Sequence, residues 1–167
     1  VPMTPPLGAT LDATGRCTWR PRSPRAAAAE LVLFDDAARE TAAHPMPRDA
    51  NDNFTLQLDR IAVGQRYAFR CDDRPPRPDP ASRWQPDGVH APSGVWRADD
   101  FVWTDQAWPG VPLAGLVLYE LHTGTFTPEG TFAAIIPRLD ALRDLGVTAI
   151  ELMPVAQFPG HRGWGYD

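Results

Sequence analysis

The sequence predicts a two-part chain: a small antiparallel β-sandwich, then a strand–helix–strand unit of a parallel sheet. Three observations predict this. Up to residue 72, short segments alternate apolar and polar residues with a period of two. Between residues 72 and 115 fall eight of the 19 prolines. After residue 115 the apolar residues run continuously, then recur at spacings of three and four, then run continuously again. Period two marks a strand with one buried face, a 3–4 spacing marks a helix, and an unbroken apolar run fits a strand buried on both faces.

The first part covers residues 1–72. In RCTWR, residues 16–20, Cys17 and Trp19 alternate with polar neighbours. The run ELVLF at residues 30–34 is a further strand. In FTLQL, residues 54–58, Phe54, Leu56 and Leu58 share a face. In RYAFRC, residues 66–71, Tyr67, Phe69 and Cys71 point inward and Arg66, Ala68 and Arg70 point to solvent. Turns are supplied by Asp12-Ala13-Thr14-Gly15 and by the Asp- and Asn-rich stretch at residues 49–53, whose short polar side chains bond their own backbone. Five to seven such strands fit a sandwich. Trp19, Phe54, Tyr67 and Phe69 all fall on core faces, which leaves the sandwich without a visible aromatic row for a sugar.

Residues 73–115 form a proline-rich connector. Trp84, Val89, Trp96, Phe101, Trp103 and Trp108 give it apolar anchors, so it is expected to be ordered.

The second part covers residues 116–167. LVLYEL, residues 116–121, is a strand. Phe132, Ile135, Ile136, Leu139, Leu142 and Leu145 define a helix face, with Gly146 as its stop. VTAIELMPV, from residue 147, is the second strand. This is a βαβ unit, whose crossover is expected to be right-handed. Pro137 lacks an amide hydrogen, so the helix is expected to be irregular at its start.

Composition narrows the function. The net charge is −5 and the 16 basic residues are scattered, which argues against a nucleic-acid partner. No run reaches the roughly 18 apolar residues of a membrane span, and VPMTPPLGAT has no apolar signal segment. Cys17 and Cys71 read as core thiols of a reducing compartment in preference to a disulfide. A cytoplasmic protein is expected. The chain opens on Val1, not on an initiator methionine.

Glu120 and Glu151, one in each parallel strand, invite reading as a catalytic pair, since neighbouring strands lie about 4.8 Å apart and retaining glycosidases hold their carboxyls about 5 Å apart. Both are mid-strand, however, and parallel barrels place their chemistry at the C-terminal strand ends. A structural role is expected, paired to an arginine such as Arg138 or to backbone donors. His122, with no nucleophile beside it, is expected to be a packed histidine. GTFTPEG lacks the lysine and spacing of a phosphate loop. No metal-ligand spacing and no cofactor motif is present.

The segments YELHTGTFTPEGTF, RLDALRDLGVTAIELMPVAQFPG and RGWGYD resemble the start of the catalytic barrel in the α-amylase superfamily, glycoside hydrolase family 13. DPASRWQPDGVHAPS, residues 79–93, resembles the branch of that family whose members release trehalose from a malto-oligosaccharide chain. The sandwich is similar to the immunoglobulin-like carbohydrate-binding module of family 48, with Trp19-Arg20-Pro21 standing where the module usually reads Trp-Ala-Pro. The resemblance implies the first βαβ unit of a (β/α)₈ barrel, a fold that needs about 250 residues. It therefore implies an N-terminal fragment, inactive alone, with the aspartate nucleophile and glutamate acid/base beyond residue 167. It places Tyr166 in the floor of a sugar subsite, with Trp164 beside it on the same loop. The implied partner is a malto-oligosaccharide or trehalose-type glucan. The alternatives are a related branching or debranching enzyme, or a free-standing carbohydrate-binding module.

Overall fold

Six strands open the chain, β1 (Gly8–Leu11), β2 (Cys17–Arg20), β3 (Ala29–Phe34), β4 (Glu40–Pro45), β5 (Leu56–Leu58) and β6 (Arg66–Cys71), of which β2, β3, β5 and β6 fall on the segments expected from the sequence. The computed structural model describes residues 6–97 and 101–160, and the chain divides into two units, Val1–Val102 and Trp103–Asp167.

In the first unit two antiparallel sheets face each other. One has the order β1-β2-β5. The other has the order β4-β3-β6 and takes a further strand, β7 (Ser93–Gly94), against β6. The expected sandwich ended at residue 72; its sheet is completed from residues 93 and 94.

Between the sheets lie Cys17, Trp19, Leu31, Phe54, Tyr67, Phe69 and Val95, all buried. Each large apolar side chain so buried contributes about 1.5–3 kcal/mol. Trp19 and Tyr67 meet edge to face at 5.9 Å, and Tyr67 meets Phe69 in the same way at 5.7 Å. The inward faces of β2 and β6 are therefore those that alternation predicts. Burial pushes the Cys17 thiol up to about 12, and both cysteines are free.

Ala68 departs from the expectation. It is buried with Val32 and Phe34 on the opposite face of the four-stranded sheet. Its neighbours on that face of β6 are Arg66 and Arg70, whose heads are held apart from it. Arg70 reaches Glu30 on β3 at 3.0 Å and Glu40 on β4 at 2.7 Å, while Arg66 reaches Asp87 at 2.8 Å. The aliphatic stems of such residues cover apolar surface while their charges stay in water.

The turns behave as expected. The Asp12 carboxylate accepts hydrogen bonds from the amides of Thr14 and Arg16 at 2.8 and 3.0 Å. The Asp49 carboxylate accepts from those of Asn51 and Asn53 at 2.8 and 3.0 Å.

In the second unit, β8 (Leu118–Leu121) and β9 (Ala149–Leu152) pair in parallel, Leu118 opposite Ala149 and Leu121 opposite Leu152. Between them run α1 (Thr123–Phe126), α2 (Phe132–Ile135), a 3₁₀ turn (Ile136–Arg138) and α3 (Leu139–Leu145). The helix is thus broken at Pro137, where the missing amide hydrogen cannot continue the ladder. Thr131 caps α2, its hydroxyl accepting from the Ala134 amide at 3.3 Å. Gly146 ends α3 at φ 100°, a conformation that costs glycine little, and donates to the Arg143 carbonyl at 2.9 Å. Of the expected helix face only Ile135 is buried; Phe132, Ile136, Leu139 and Leu145 are exposed.

Candidate functional site

The C-terminal ends of β8 and β9 lie side by side, joined by a 2.9 Å hydrogen bond from the Met153 amide to the Leu121 carbonyl. His122 follows β8 directly and is half-buried. Its carbonyl accepts from the amides of Thr125 and Phe126 at 3.1 and 3.0 Å, which folds the chain into α1. Phe126 packs edge to face on Tyr119 at 6.1 Å. The GTFTPEG loop that follows is closed by a 3.1 Å bond from the Gly130 amide to the Thr127 carbonyl, and Thr127 is buried. The Thr127 hydroxyl also accepts from the Gly130 amide, at 3.3 Å.

Glu120 and Glu151 sit directly opposite one another in the parallel register. Both are exposed. Among the described residues neither has an ion pair or a side-chain hydrogen bond, so the expected partnership with Arg138 does not form. Tyr166 and Trp164, the expected sugar-binding residues, lie outside the described residues.

The other candidate region is the segment at residues 79–93, read from the sequence as the mark of one enzyme branch. Its geometry is that of a lock on the sandwich. Asp79 is buried at 2% exposure inside the first unit. The Tyr67 hydroxyl donates to its Oδ2 at 2.7 Å, and the Ala81 amide donates to its Oδ1 at 2.8 Å. The Asp79 amide donates to Ser93 Oγ at 2.9 Å, which also accepts from Gln85 Nε2 at 3.1 Å. Burial raises the Asp79 carboxyl above its ordinary value despite these donors, because a charge is costly in so dry a place. Burial likewise raises the Tyr67 hydroxyl, with the carboxyl beside it adding to the effect.

Trp84 completes the lock. A Cβ on Gly94 would stand 2.5 Å from Trp84 Cε3, so only glycine allows the indole to lie there. The Gly94 amide donates to the Trp84 carbonyl at 2.9 Å. The Arg66 guanidinium lies 5.3 Å from the centre of the Trp84 ring, and Trp96 meets the same indole edge to face at 5.8 Å. Of the aromatics expected to anchor the connector, Trp84 does so. Trp96, Phe101, Trp103 and Trp108 are exposed.

Comparison with known proteins matches this geometry to a class. Residues 6–84 match the family "Carbohydrate-binding module 48 (Isoamylase N-terminal domain)". The chain is 40% identical to a putative α-amylase from Salmonella typhimurium of solved structure, with a TM-score of 0.84 over 99% of this chain and 27% of that one. It thus carries the sandwich module of the α-amylase type of glycoside hydrolase.

Among the curated relatives, it is 52% identical to the malto-oligosyltrehalose trehalohydrolase of Saccharolobus solfataricus over 74% of this chain and 22% of that protein. It is 44% identical to that of Deinococcus radiodurans over 86% of this chain and 25% of that protein. Over most of its length the chain is similar to malto-oligosyltrehalose trehalohydrolases, and it spans about a quarter of the length of these relatives.

Proposed function

We propose that this chain is the N-terminal part of a glycoside hydrolase that releases trehalose from malto-oligosyltrehalose by hydrolysing an α-1,4-glucosidic bond. The observation that carries this reading is the identity to two proteins named for that hydrolysis, which runs over most of the chain. The parallel pairing of β8 with β9 across a helical crossover supports reading the second unit as the first βαβ of a (β/α)₈ barrel. In that reading the convergence of Leu121–His122 with Met153 is the rim on which a substrate would rest. Glu120 and Glu151 lie below it in the strands, and the nucleophile and acid/base belong to later strands beyond residue 167. In that reading Tyr166 serves as part of the floor of a sugar subsite, and Trp164 helps hold the loop that carries it. The two free thiols support a reducing, cytoplasmic setting.

The test is a chimera in which this chain replaces the matching segment of the Deinococcus radiodurans relative. The chimera is expected to release trehalose from malto-oligosyltrehalose, and the 167-residue chain alone is expected to release none. In the chimera, Tyr166→Ala should lower kcat/KM, because a sugar face loses its apolar support on the way to the transition state. Tyr166→Phe should cost less if the ring is the main contributor. Trehalose release by the isolated chain, or branch-point cleavage in place of trehalose release by a folded chimera, would refute the reading.

A further inference from the structure

A groove opens in the first unit where β2 and β6 run out into the proline-rich segment. It encloses about 400 Å³, within the range of small-molecule sites. Pro21, Phe69 and Pro78 give it an apolar floor, and Arg22, Arg74 and Arg77 line it as well. A second cavity of about 200 Å³ shares Ser23, Cys71 and Arg74 with it and adds Arg25, so the two adjoin and are taken together as one groove.

The charge of this groove is its unusual property. Five arginines elsewhere in the first unit are matched to acids, Arg16 to Asp59, Arg39 to Asp35, Arg48 to Asp52, Arg66 to Asp87, and Arg70 to Glu30 and Glu40, while Arg60 and Arg83 form no ion pair among the described residues; what sets this groove apart is that four unmatched arginines line one hollow. Arg22, Arg25, Arg74 and Arg77 are all exposed, and among the described residues none of the four forms an ion pair. Arg22 makes a long 3.4 Å bond to the Asn51 carbonyl. One carboxylate lines the groove, that of Asp72, and its Oδ1 is engaged by the amides of Ala27 and Ala28 at 2.9 and 3.0 Å. A chain of net charge −5 thus gathers four arginines against one acid around one apolar hollow.

We propose that this groove binds a small organic phosphate of sugar-phosphate size. Guanidinium forks match phosphate oxygens two at a time, and clustered like charges repel one another until an anion joins them. The phosphate meets the arginines while a ring-sized organic part covers the proline and phenylalanine floor, which inorganic phosphate leaves wet. The site lies wholly within the first unit and does not depend on the hydrolase reading.

The test uses Cys71, which lines both cavities and is half-buried. Cys17 is buried with its thiol pushed up to about 12, so the rate of alkylation by N-ethylmaleimide reports Cys71. At constant ionic strength, glucose 6-phosphate is expected to slow alkylation saturably. Inorganic phosphate should do so at least about tenfold more weakly, and glucose not at all. In Arg74→Gln/Arg77→Gln the protection should need at least about tenfold more ligand, the loss expected when charge-assisted bonds are removed. No protection by glucose 6-phosphate, equal protection by glucose or by inorganic phosphate, or unchanged protection in a folded variant would overturn the proposal. The three ligands on the unaltered chain decide the matter even if the double variant does not fold.

Discussion

The Tyr67 hydroxyl donates a 2.7 Å hydrogen bond to the carboxyl of Asp79, and both groups are buried. This bond ties the proline-rich segment to the middle of the four-stranded sheet. Tyr67→Phe removes the donor and leaves an acid with one fewer partner in a dry place. Losses of this kind run to about 1–3 kcal/mol. Urea denaturation of the two proteins should show a lower midpoint for the variant at unchanged slope.

Asp79 also makes stability depend on pH. Its carboxyl is raised above the ordinary 3.8 by burial, so the native state keeps a proton where the unfolded chain has lost it. Native binding of the extra proton means that this contribution is fully present below 3.8 and is lost as pH rises through the raised value. Asp12, Asp35 and Asp49 act in the opposite sense, since hydrogen bonds hold their carboxyls below the usual range. A difference measurement isolates Asp79. The stability of the natural chain minus that of Asp79→Asn should be level below 3.8 and decline as pH rises above it. A difference that stays flat as pH rises above 3.8 would show that Asp79 titrates alike folded and unfolded.

Gly94 and Trp84 should prove coupled. Gly94→Ala alone puts a methyl group 2.5 Å from the indole and should cost about 1–3 kcal/mol, the usual penalty of overpacking. In a Trp84→Ala background the same change should cost little. The double-mutant cycle measures the coupling directly, and strict additivity would mean that the indole moves aside freely.

The two faces of β2 can be told apart by truncation. Trp19 has no exposure, and Trp19→Ala should cost about 3–5 kcal/mol. Its buried indole nitrogen has no hydrogen-bond partner among the described residues, so Trp19→Phe should be far milder than Trp19→Ala. Arg20→Ala, on the other face, should lower the melting temperature less than Trp19→Ala does. Equal shifts would reverse the assignment of faces.

The second unit shows apolar residues to water: Leu113, Leu118, Ile136 and Leu145 are 57–86% exposed. Residues 103–167 produced alone should bind a hydrophobic dye and exchange the amides of β8 and β9 quickly, as unpaired apolar edges do. Slow exchange across both strands in a monomer would contradict this.

Alternation made the core legible because Trp19, Tyr67 and Phe69 carry large side chains on a strict period of two. β4 was not legible. Glu40-Thr41-Ala42-Ala43-His44-Pro45 has no apolar face, and its strand is decided by pairing with β3, a tertiary effect that local preference cannot report. β7 is two residues long and equally silent. The partnership of Asp79 with Tyr67 joins positions with no local pattern between them, and nothing in an Asp-Pro step announces a buried acid. Ala68 misled for a related reason: alternation assigns a face, but it cannot say that flanking arginine stems and two apolar neighbours keep that face dry. At the strand ends, Glu120 and Glu151 could be placed mid-strand by counting, while the absence of Arg138 from their side could not.

The lock formed by Asp79, Trp84, Ser93 and Gly94 sets what can be inherited as one piece. The family match stops at residue 84, yet Val95 fills the core with no exposure and Ser93–Gly94 completes the sheet. A lineage that transplanted this module onto another enzyme with a seam at residue 84 would carry Tyr67 and Asp79 but leave behind the serine that receives the Asp79 amide and the valine that seals the sandwich. Recombination is therefore tolerated only at seams beyond Val95, and the segment that looks like a spacer travels with the module by physical necessity.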